Sequence, residues 1–432
     1  MPVLLRIALR NLVGNKRRTL LLGGAIAIVT LILVVLTSLS NGMQSTMLEV
    51  ATTLSTGHVN VAGFHKMTAT DASPMITEVP KLVALVKAAD PGIRGVVLRG
   101  RGWGKLVSET SRQEGVLVGI DVVAEPAFQS VIQLHEGRFN DLAEPGTCLI
   151  FRGTADRLGV KAGDDVTISA PTFRGSENTA DCRVVAIAKD MGMLSSFSMF
   201  VHHQTLRDVY QMRPDQTGAI HVFIDDVTRV DEVAAKLRTA IAAGGWRVMD
   251  PLPEPFFRKF QGVAREDWKG QKIDVTTWAD EMAFMRYTLQ TFQVLTVVFV
   301  TILLGIVVLG VMNTMMMTIR ERTREIGTLR AIGMARGSVL LMFVLEAALL
   351  SVTATVVGAA LGAGLVVGID ALQIPVSKGF QLFLMSDRLH LLVDGVSLSI
   401  SVVVIAIVTT LSSLLPSWRA AVKPPVTAMS AA

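Results

Sequence analysis

Residues 313–334 read NTMMMTIRERTREIGTLRAIGM and lie between two long apolar segments. Ile326, Leu329 and Ile332 recur at i, i+3 and i+6, a narrow apolar stripe on a helix. Arg320, Arg322, Arg324 and Arg330 surround the stripe, with Glu321 and Glu325 among them. A short basic helix fixed at both ends to membrane spans is poorly suited to hold a small molecule. It is well suited to dock into a groove on a partner and pass force into both spans. Adsorption to anionic headgroups, where each basic residue contributes about 1 kcal/mol, fits less well. The two acids and the internal Gly327 weaken it.

Working outward, the chain is too apolar for an ordinary soluble protein. Of 432 residues 50% are hydrophobic, mean hydropathy is +0.49, and 18% are charged, against about 25% in soluble chains. The deficit is local. Segments 20–39, 289–319, 339–369 and 396–415 are nearly free of charge, and a bilayer crossing needs about 20 apolar residues. The expected fold is an α-helical membrane protein with four transmembrane helices and a large α+β extracytoplasmic domain inserted between helices 1 and 2. The chain then divides into a basic start (1–18), first span (19–40), outer domain (41–288) and second span (289–319). The connector (320–336), third span (337–369), short outer loop (370–394), fourth span (395–416) and tail (417–432) follow. The first segment exceeds the 7–15 residues of a signal-peptide core and lacks a clean cleavage site, so an uncleaved anchor is expected.

Basic residues orient the spans. Arg6, Arg10, Lys16, Arg17 and Arg18 precede the first span with no acid. The connector adds five arginines against two acids, and the tail adds Arg419 and Lys423. All three pieces are expected in the cytosol. The chain is +5 overall, so the outer domain is mildly acidic. The pI near 9.3 reports topology and gives no reason to expect a nucleic-acid partner.

The outer domain alternates strand-like runs (57–62, 95–101, 115–120, 147–151, 165–170, 183–188, 199–202, 219–224) with helices at 81–89, 205–212 and 230–243, the pattern expected of a two-lobed α+β domain. Polar and Gly/Pro residues at 171–179 (PTFRGSENT) mark an exposed loop. Cys148 and Cys182 both fall in the outer domain; an oxidising compartment permits a bridge, and two unpaired core thiols are the alternative. At the junctions, Met43, Met47, Val50 and Leu54 recur at heptad spacing after the first span. Trp278, Met282, Met285, Leu289 and Phe292 do so before the second. Two helices running unbroken into their spans as a stalk are expected.

Motifs for bound chemistry are lacking. Gly100-Arg-Gly-Trp-Gly-Lys105 has the wrong spacing for a phosphate cradle, and Leu106 stands where a hydroxyl should hold magnesium. Any ATP and Mg would sit on another chain. His202 and His203, adjacent on a strand, point to opposite faces. No cofactor, metal or catalytic residue is therefore assigned. Glu346, about 15 Å into the third span, is either a proton relay or the partner of a basic residue near the interface. Gly358/Gly362 and Gly364/Gly368 allow close helix packing.

The chain resembles the permease subunits of the MacB/FtsX-like (type VII) ABC transporters, nearest the lipoprotein-releasing branch. The resemblance rests on ERTREIGTLRAIGM (321–334), LLPSWRAAVKPPVTAM (414–429), EGRFND (136–141), RLGVKAGDDVTI (157–168) and SNGMQ (40–44). It implies a dimer of permeases, identical or not, working with a cytosolic ATP-hydrolysing subunit. The coupling helix would present Arg320, Glu321, Arg322, Arg324, Glu325, Ile326, Gly327, Leu329, Arg330 and Gly333 to that subunit. In the lipoprotein-releasing branch a projecting loop recruits a periplasmic carrier. Here Pro171, Phe173 and Arg174 would occupy that place, in a loop that looks shorter. Acylated cargo would enter beside the stalk near Met43, Met47 and Phe292. Efflux or mechanical signalling with a periplasmic partner is the alternative in transport. A receptor or structural protein with a ligand-binding outer domain is the rival of another class, and it has no need of a basic connector.

Overall fold

The computed structural model describes residues 2–14, 16–68, 72–172, 176–192, 194–377, 379, 381 and 384–422. They form two compact units, one comprising Met1–Ser45, Gln290–Ile374 and Leu389–Ala432, the other Thr46–Leu289 and Pro375–Arg388.

The first unit is helical. Among the described residues, four helices are long and apolar enough to cross a membrane: Lys16–Ala51, Ala283–Glu321, Arg336–Ala371 and Gly395–Ser412, the last continued by Leu414–Val422. A further helix, Pro2–Gly14, precedes them. The four meet in a core of Ile26, Val29 and Leu33, Val307 and Val311, Ala347 and Ala354, and Ile405. The third span is central, half of its most apolar stretch buried against 11% for the second. Its Gly358 explains the close approach, because a Cβ there would run into the backbone of Ala27. Gly362 packs likewise, its would-be Cβ 3.0 Å from Val34 Cβ, whereas Gly364 and Gly368 meet nothing. Of the two small-residue pairs, the first makes the helix contact. The fourth span starts where the Asp394 carboxylate accepts from the Ser397 amide at 2.8 Å, satisfying an orphan donor of the first turn.

The second unit holds two lobes. Strands β1 (Val59–Lys66), β2 (Ala72–Ser73), β3 (Ile93–Arg99), β11 (Ala219–Ile224) and β12 (Gly270–Thr277) make the first sheet, in the order β12-β1-β11-β3 with β2 on β1. Helices Val79–Ala89 and Val230–Ala243 connect them as a split βαβ pair. Val233, Leu237 and Ile241 recur at helical spacing and bury against Val61, Ile220, Val222 and Ile273; each such side chain contributes about 1.5–3 kcal/mol.

Between β3 and β11 the chain inserts the second lobe. It contains β4 (Arg101–Val107), β5 (Arg112–Ile120), β6 (Leu134–Gly137), β7 (Thr147–Phe151), β8 (Asp165–Pro171), β9 (Glu177–Ala188) and β10 (Ser198–His202). The order is β6-β9-β7-β10-β5-β4-β8, and β8 also pairs with β9. Six strands therefore close into a ring, which leaves few free edges. The strand expected over 95–101 is in fact two. The chain leaves one sheet at Arg99 and enters the other at Arg101. Gly100 makes the crossing possible, since a Cβ there would strike the Leu206 side chain.

Cys148 and Cys182 are unbridged and buried in the barrel core. The hydrogen bond between their thiols, with burial, holds Cys148 well above the usual thiol value. At pH 8 the folded chain should take up no maleimide and the denatured chain two equivalents. No uptake after denaturation without reductant would mean a bridge.

Candidate functional site

The connector is a separate helix, Thr323–Ala331, bounded by two breaks. The second span's helix ends at Glu321, and Arg322 leaves helical geometry with φ −100° and ψ 13°. At the other end Gly333 takes φ +106°, which L side chains rarely adopt. Its amide donates to Arg330 O at 3.1 Å, and the Met334 amide donates to Leu329 O at 3.1 Å. Ala335 is extended before the third span begins at Arg336. Arg320 and Glu321 thus end the second span and are not on the connector helix.

The connector has two faces. Ile326 and Gly327 are buried, Ile326 in a cluster with Ile319, Val339, Met342, Phe343, Ala420 and Ala421. Arg322 lies 3.6 Å from Glu346 Oε2 and 3.8 Å from Glu325. Asn11 Nδ2 donates to the same Glu346 oxygen at 3.4 Å. Arg330 Nη1 donates to Ala421 O at 3.0 Å. Second span, third span, starting helix and terminal helix are therefore all tied to this element. Arg320, Glu321, Arg324, Glu325, Leu329 and Ile332 are exposed, Ile332 at 80%.

The single stripe of Ile326, Leu329 and Ile332 is not present as such. Ile326 anchors inward, and the other two face out. A 100° step per residue rotates the third member of an i, i+3, i+6 set well off the first. The acid at 346 is the partner of a cation, as one of its two readings held. Arg322→Met should lower the stability of the purified chain, because the buried Glu346 carboxylate loses the guanidinium 3.6 Å away. Arg322→Met with Glu346→Gln should recover most of it in the same thermal unfolding assay. A double variant no better than the single would show that the pair is not what holds the connector.

The two junctions differ. Met43, Met47 and Val50 lie on the unbroken helix Lys16–Ala51, and Leu54 in the π-helical turn Thr52–Thr56; all four are buried. The second seam is interrupted. Trp278 belongs to the four-residue helix Trp278–Glu281, started by a capping box in which the Thr277 and Asp280 side chains each accept from the other's backbone amide. Trp278 packs on the core of the split βαβ lobe. Met282, at φ −109° and ψ 46°, breaks the helix before Ala283. Met285 and Leu289 are buried and Phe292 partly so on the far side of that break. Sequence spacing alone does not register a cap that overrides a heptad.

Residues 171–179 are not one loop: Pro171 ends β8, and β9 starts at Glu177. Pro171 pairs with Glu177, and the Thr172 amide donates to Ser176 O at 2.7 Å. Phe173 and Arg174 lie outside the described residues.

One cluster escaped the sequence reading. Arg99 and Arg101, flanking the crossing at Gly100, are buried with Glu125, Glu281 and His221. Arg99 Nε donates to Glu125 Oε2 at 3.0 Å, and Arg101 lies 3.7 Å from Glu281. The available signal was two arginines spaced by glycine in an apolar setting, which read only as a failed phosphate loop.

Residues 19–240 match the MacB-like periplasmic core domain, and residues 297–425 the FtsX-like permease C-terminal. A macrolide export ATP-binding/permease protein MacB from Bdellovibrio bacteriovorus is 36% identical over 135 residues, 31% of this chain and 20% of that protein. A pyoverdine export ATP-binding/permease protein PvdT from Pseudomonas aeruginosa is 55% identical over 53 residues, 12% of this chain and 8% of that protein. The chain thus spans a fifth or less of these relatives' own lengths. Among solved structures, the periplasmic region of MacB from Actinobacillus actinomycetemcomitans has a TM-score of 0.31 at 13% identity, covering 53% of this chain and 92% of that one. The extracellular domain of the transporter YknZ from Gram-positive bacteria has a TM-score of 0.30 at 14% identity, covering 43% and 95%. With one family model matching more than half of the chain and the other most of the remaining spans, this chain belongs to the MacB/FtsX-like (type VII) ABC transporter permeases, multi-pass inner-membrane proteins with a periplasmic domain.

Proposed function

We propose that the chain is the non-catalytic membrane part of its transporter and that the connector receives a cytosolic ATPase. ATP and Mg stay on that partner, and the connector passes its motion through the spans to the periplasmic domain. The observation that carries this reading is the two-faced connector. Its inner face is tied to neighbouring helices through Arg322–Glu346 and Arg330–Ala421. Its outer face offers Arg324, Leu329 and Ile332, with Arg320 exposed beside it at the end of the second span. Basic residues at the start, connector and tail support cytosolic placement of all three. A second permease subunit, identical or not, and lipid would share the outward surface of the second span, where Val294, Val298, Ile302 and Leu309 are exposed.

For cargo, the resemblance of the outer domain and stalk supports extraction of a lipoprotein or other lipid-anchored molecule beside Met43, Met47 and Phe292. The printed names of the relatives, macrolide export and pyoverdine export, support efflux as the second reading. A periplasmic carrier or adaptor would meet the 171–179 hairpin. Reconstituted with its ATPase, the chain should hydrolyse ATP severalfold faster when acylated lipoprotein is added. Acceleration by small apolar compounds or by a soluble adaptor, with none by lipoprotein, moves the assignment to efflux or signalling.

A further inference from the structure

The starting helix, Pro2–Gly14, has two opposed faces. Ile7, Ala8, Asn11 and Leu12 turn inward. Ile7 packs on the cluster of Phe343, Ala420 and Ala421. Asn11 donates to the buried Glu346, and Leu12 O accepts from the Thr19 hydroxyl at 2.9 Å. The inner face is therefore fixed along its length, which sets where the outer face looks. That outer face carries Arg6, Leu9, Arg10 and Val13 at i, i+3, i+4 and i+7. Leu9 is 46% exposed and Val13 67%. The two arginines stand one turn apart on one flank and the two apolar side chains on the other, the make-up of a helix that lies in a membrane interface.

Charge and depth say what covers this face. Lys16 and Arg17 follow it, also exposed, and no acid occurs in the chain before Glu49. The outward face of the connector, by contrast, sets Glu325 beside Arg324. Depth comes from the terminal helix, Leu414–Val422, whose Ala420 and Ala421 share the inner cluster with Ile7. It turns Leu415, Trp418 and Val422 outward, Trp418 at 57% exposure, with Arg419 exposed next to it. An exposed tryptophan beside a cation at the end of a span marks the headgroup level. The starting helix stands at that level, separated by one residue from the helix of the first span. Leu9 and Val13 alone would suit any lipid. Arginines in the same layer favour a headgroup of net negative charge, because a phosphate takes guanidinium donors in pairs and carries no ammonium of its own to compete.

We propose that the outer face of the starting helix is a docking surface for anionic phospholipid, with Arg6 and Arg10 on the phosphate and Leu9 and Val13 among the upper acyl carbons. The surface is separate from the connector, and its test needs no transport. The full chain is placed in phosphatidylcholine nanodiscs holding a trace of phosphatidylglycerol that bears a diazirine next to an ester carbonyl. After irradiation, labelled peptides are mapped by mass spectrometry, and a phosphatidylcholine probe with the same diazirine is the control. Phosphatidylglycerol should label residues 2–17 at least about fivefold more than the control, the contribution of one basic residue at an anionic surface. Arg6→Gln with Arg10→Gln should bring that labelling down to the control level. The unfolding temperature should not change, since both side chains are exposed. Adding the ATPase should leave the labelling in place. Equal labelling by the two probes, or a double variant labelled like the parent chain, overturns the proposal. Suppression by the ATPase overturns it too, and assigns the face to that protein.

Discussion

Arg320→Glu combined with Arg324→Glu abolishes capture of the ATPase while the chain remains inserted and folded: that is the expected result if the connector is a docking element. Both side chains are exposed, and neither is among the groups that tie the connector to the spans. Their reversal leaves Ile326 in its cluster and Arg322 on Glu346. Turning an attractive interfacial charge into a repulsive one costs on the order of 2 kcal/mol for each site. Two sites give about 4 kcal/mol, or roughly a thousandfold in affinity. The loss should be largest at low ionic strength, since exposed charges are screened within about 10 Å at 0.1 M salt. Arg322→Glu should also fail to hold the ATPase, but for another reason, because it sets two carboxylates together in the membrane unit and lowers that unit's own stability. Comparing the two by thermal unfolding and by co-purification separates docking from folding. If the double reversal binds the ATPase with unchanged affinity, the outward arginines are not a docking face.

The membrane unit was largely legible in the sequence, because the physics that builds it is one-dimensional. A charge-free run of about 20 residues has nowhere to go but a bilayer or a deep core, and the four runs are four helices. The connector was legible as a separate piece but not in its limits: Arg320 and Glu321 end the second span, and Gly333 stops the connector where φ turns positive. Its faces were not legible. Whether Ile326 points in or out depends on Phe343 and Ala420, far along the chain, and on the break at Arg322 that resets the helix phase. Strands 147–151 and 219–224 were read to the residue, being short apolar runs with clear ends. The split at Gly100 was missed because both halves are strand-like and only the Leu206 side chain forbids anything larger there. Strands Leu134–Gly137 and Gly270–Thr277, and the helix Phe256–Arg265, were also missed, since none carries a continuous apolar pattern. The buried ion pairs were least visible. Arg99 and Glu125, or Arg101 and Glu281, look like any solvated charges until the fold brings them together.

Arg99 carries the second large effect. Its guanidinium is nearly inaccessible and donates in three directions: to Glu125, to Leu54 O at 2.6 Å and to Thr53 O at 2.8 Å. The two carbonyls belong to the π-helical turn that ends at Gly57, φ +65°. Such C-terminal carbonyls have no partner within their own helix, so the arginine finishes the turn and links it through Glu125 to the barrel lobe. Arg99→Met would leave a buried carboxylate without its cation and two carbonyls without donors, at a cost of about 3–5 kcal/mol. Arg99→Met with Glu125→Met removes the stranded charge as well. Only the carbonyls then remain unpaired, at about 1–3 kcal/mol, so the double variant should be more stable than the single. Hydrogen exchange should rise first at the turn and along β3, where the link is made, with the ATPase still bound at the connector. Binding intact and periplasmic work lost in Arg99→Met would place this arginine in the path of transmission. A single variant as stable as the parent chain, or a double variant no better than the single, would remove it from that path.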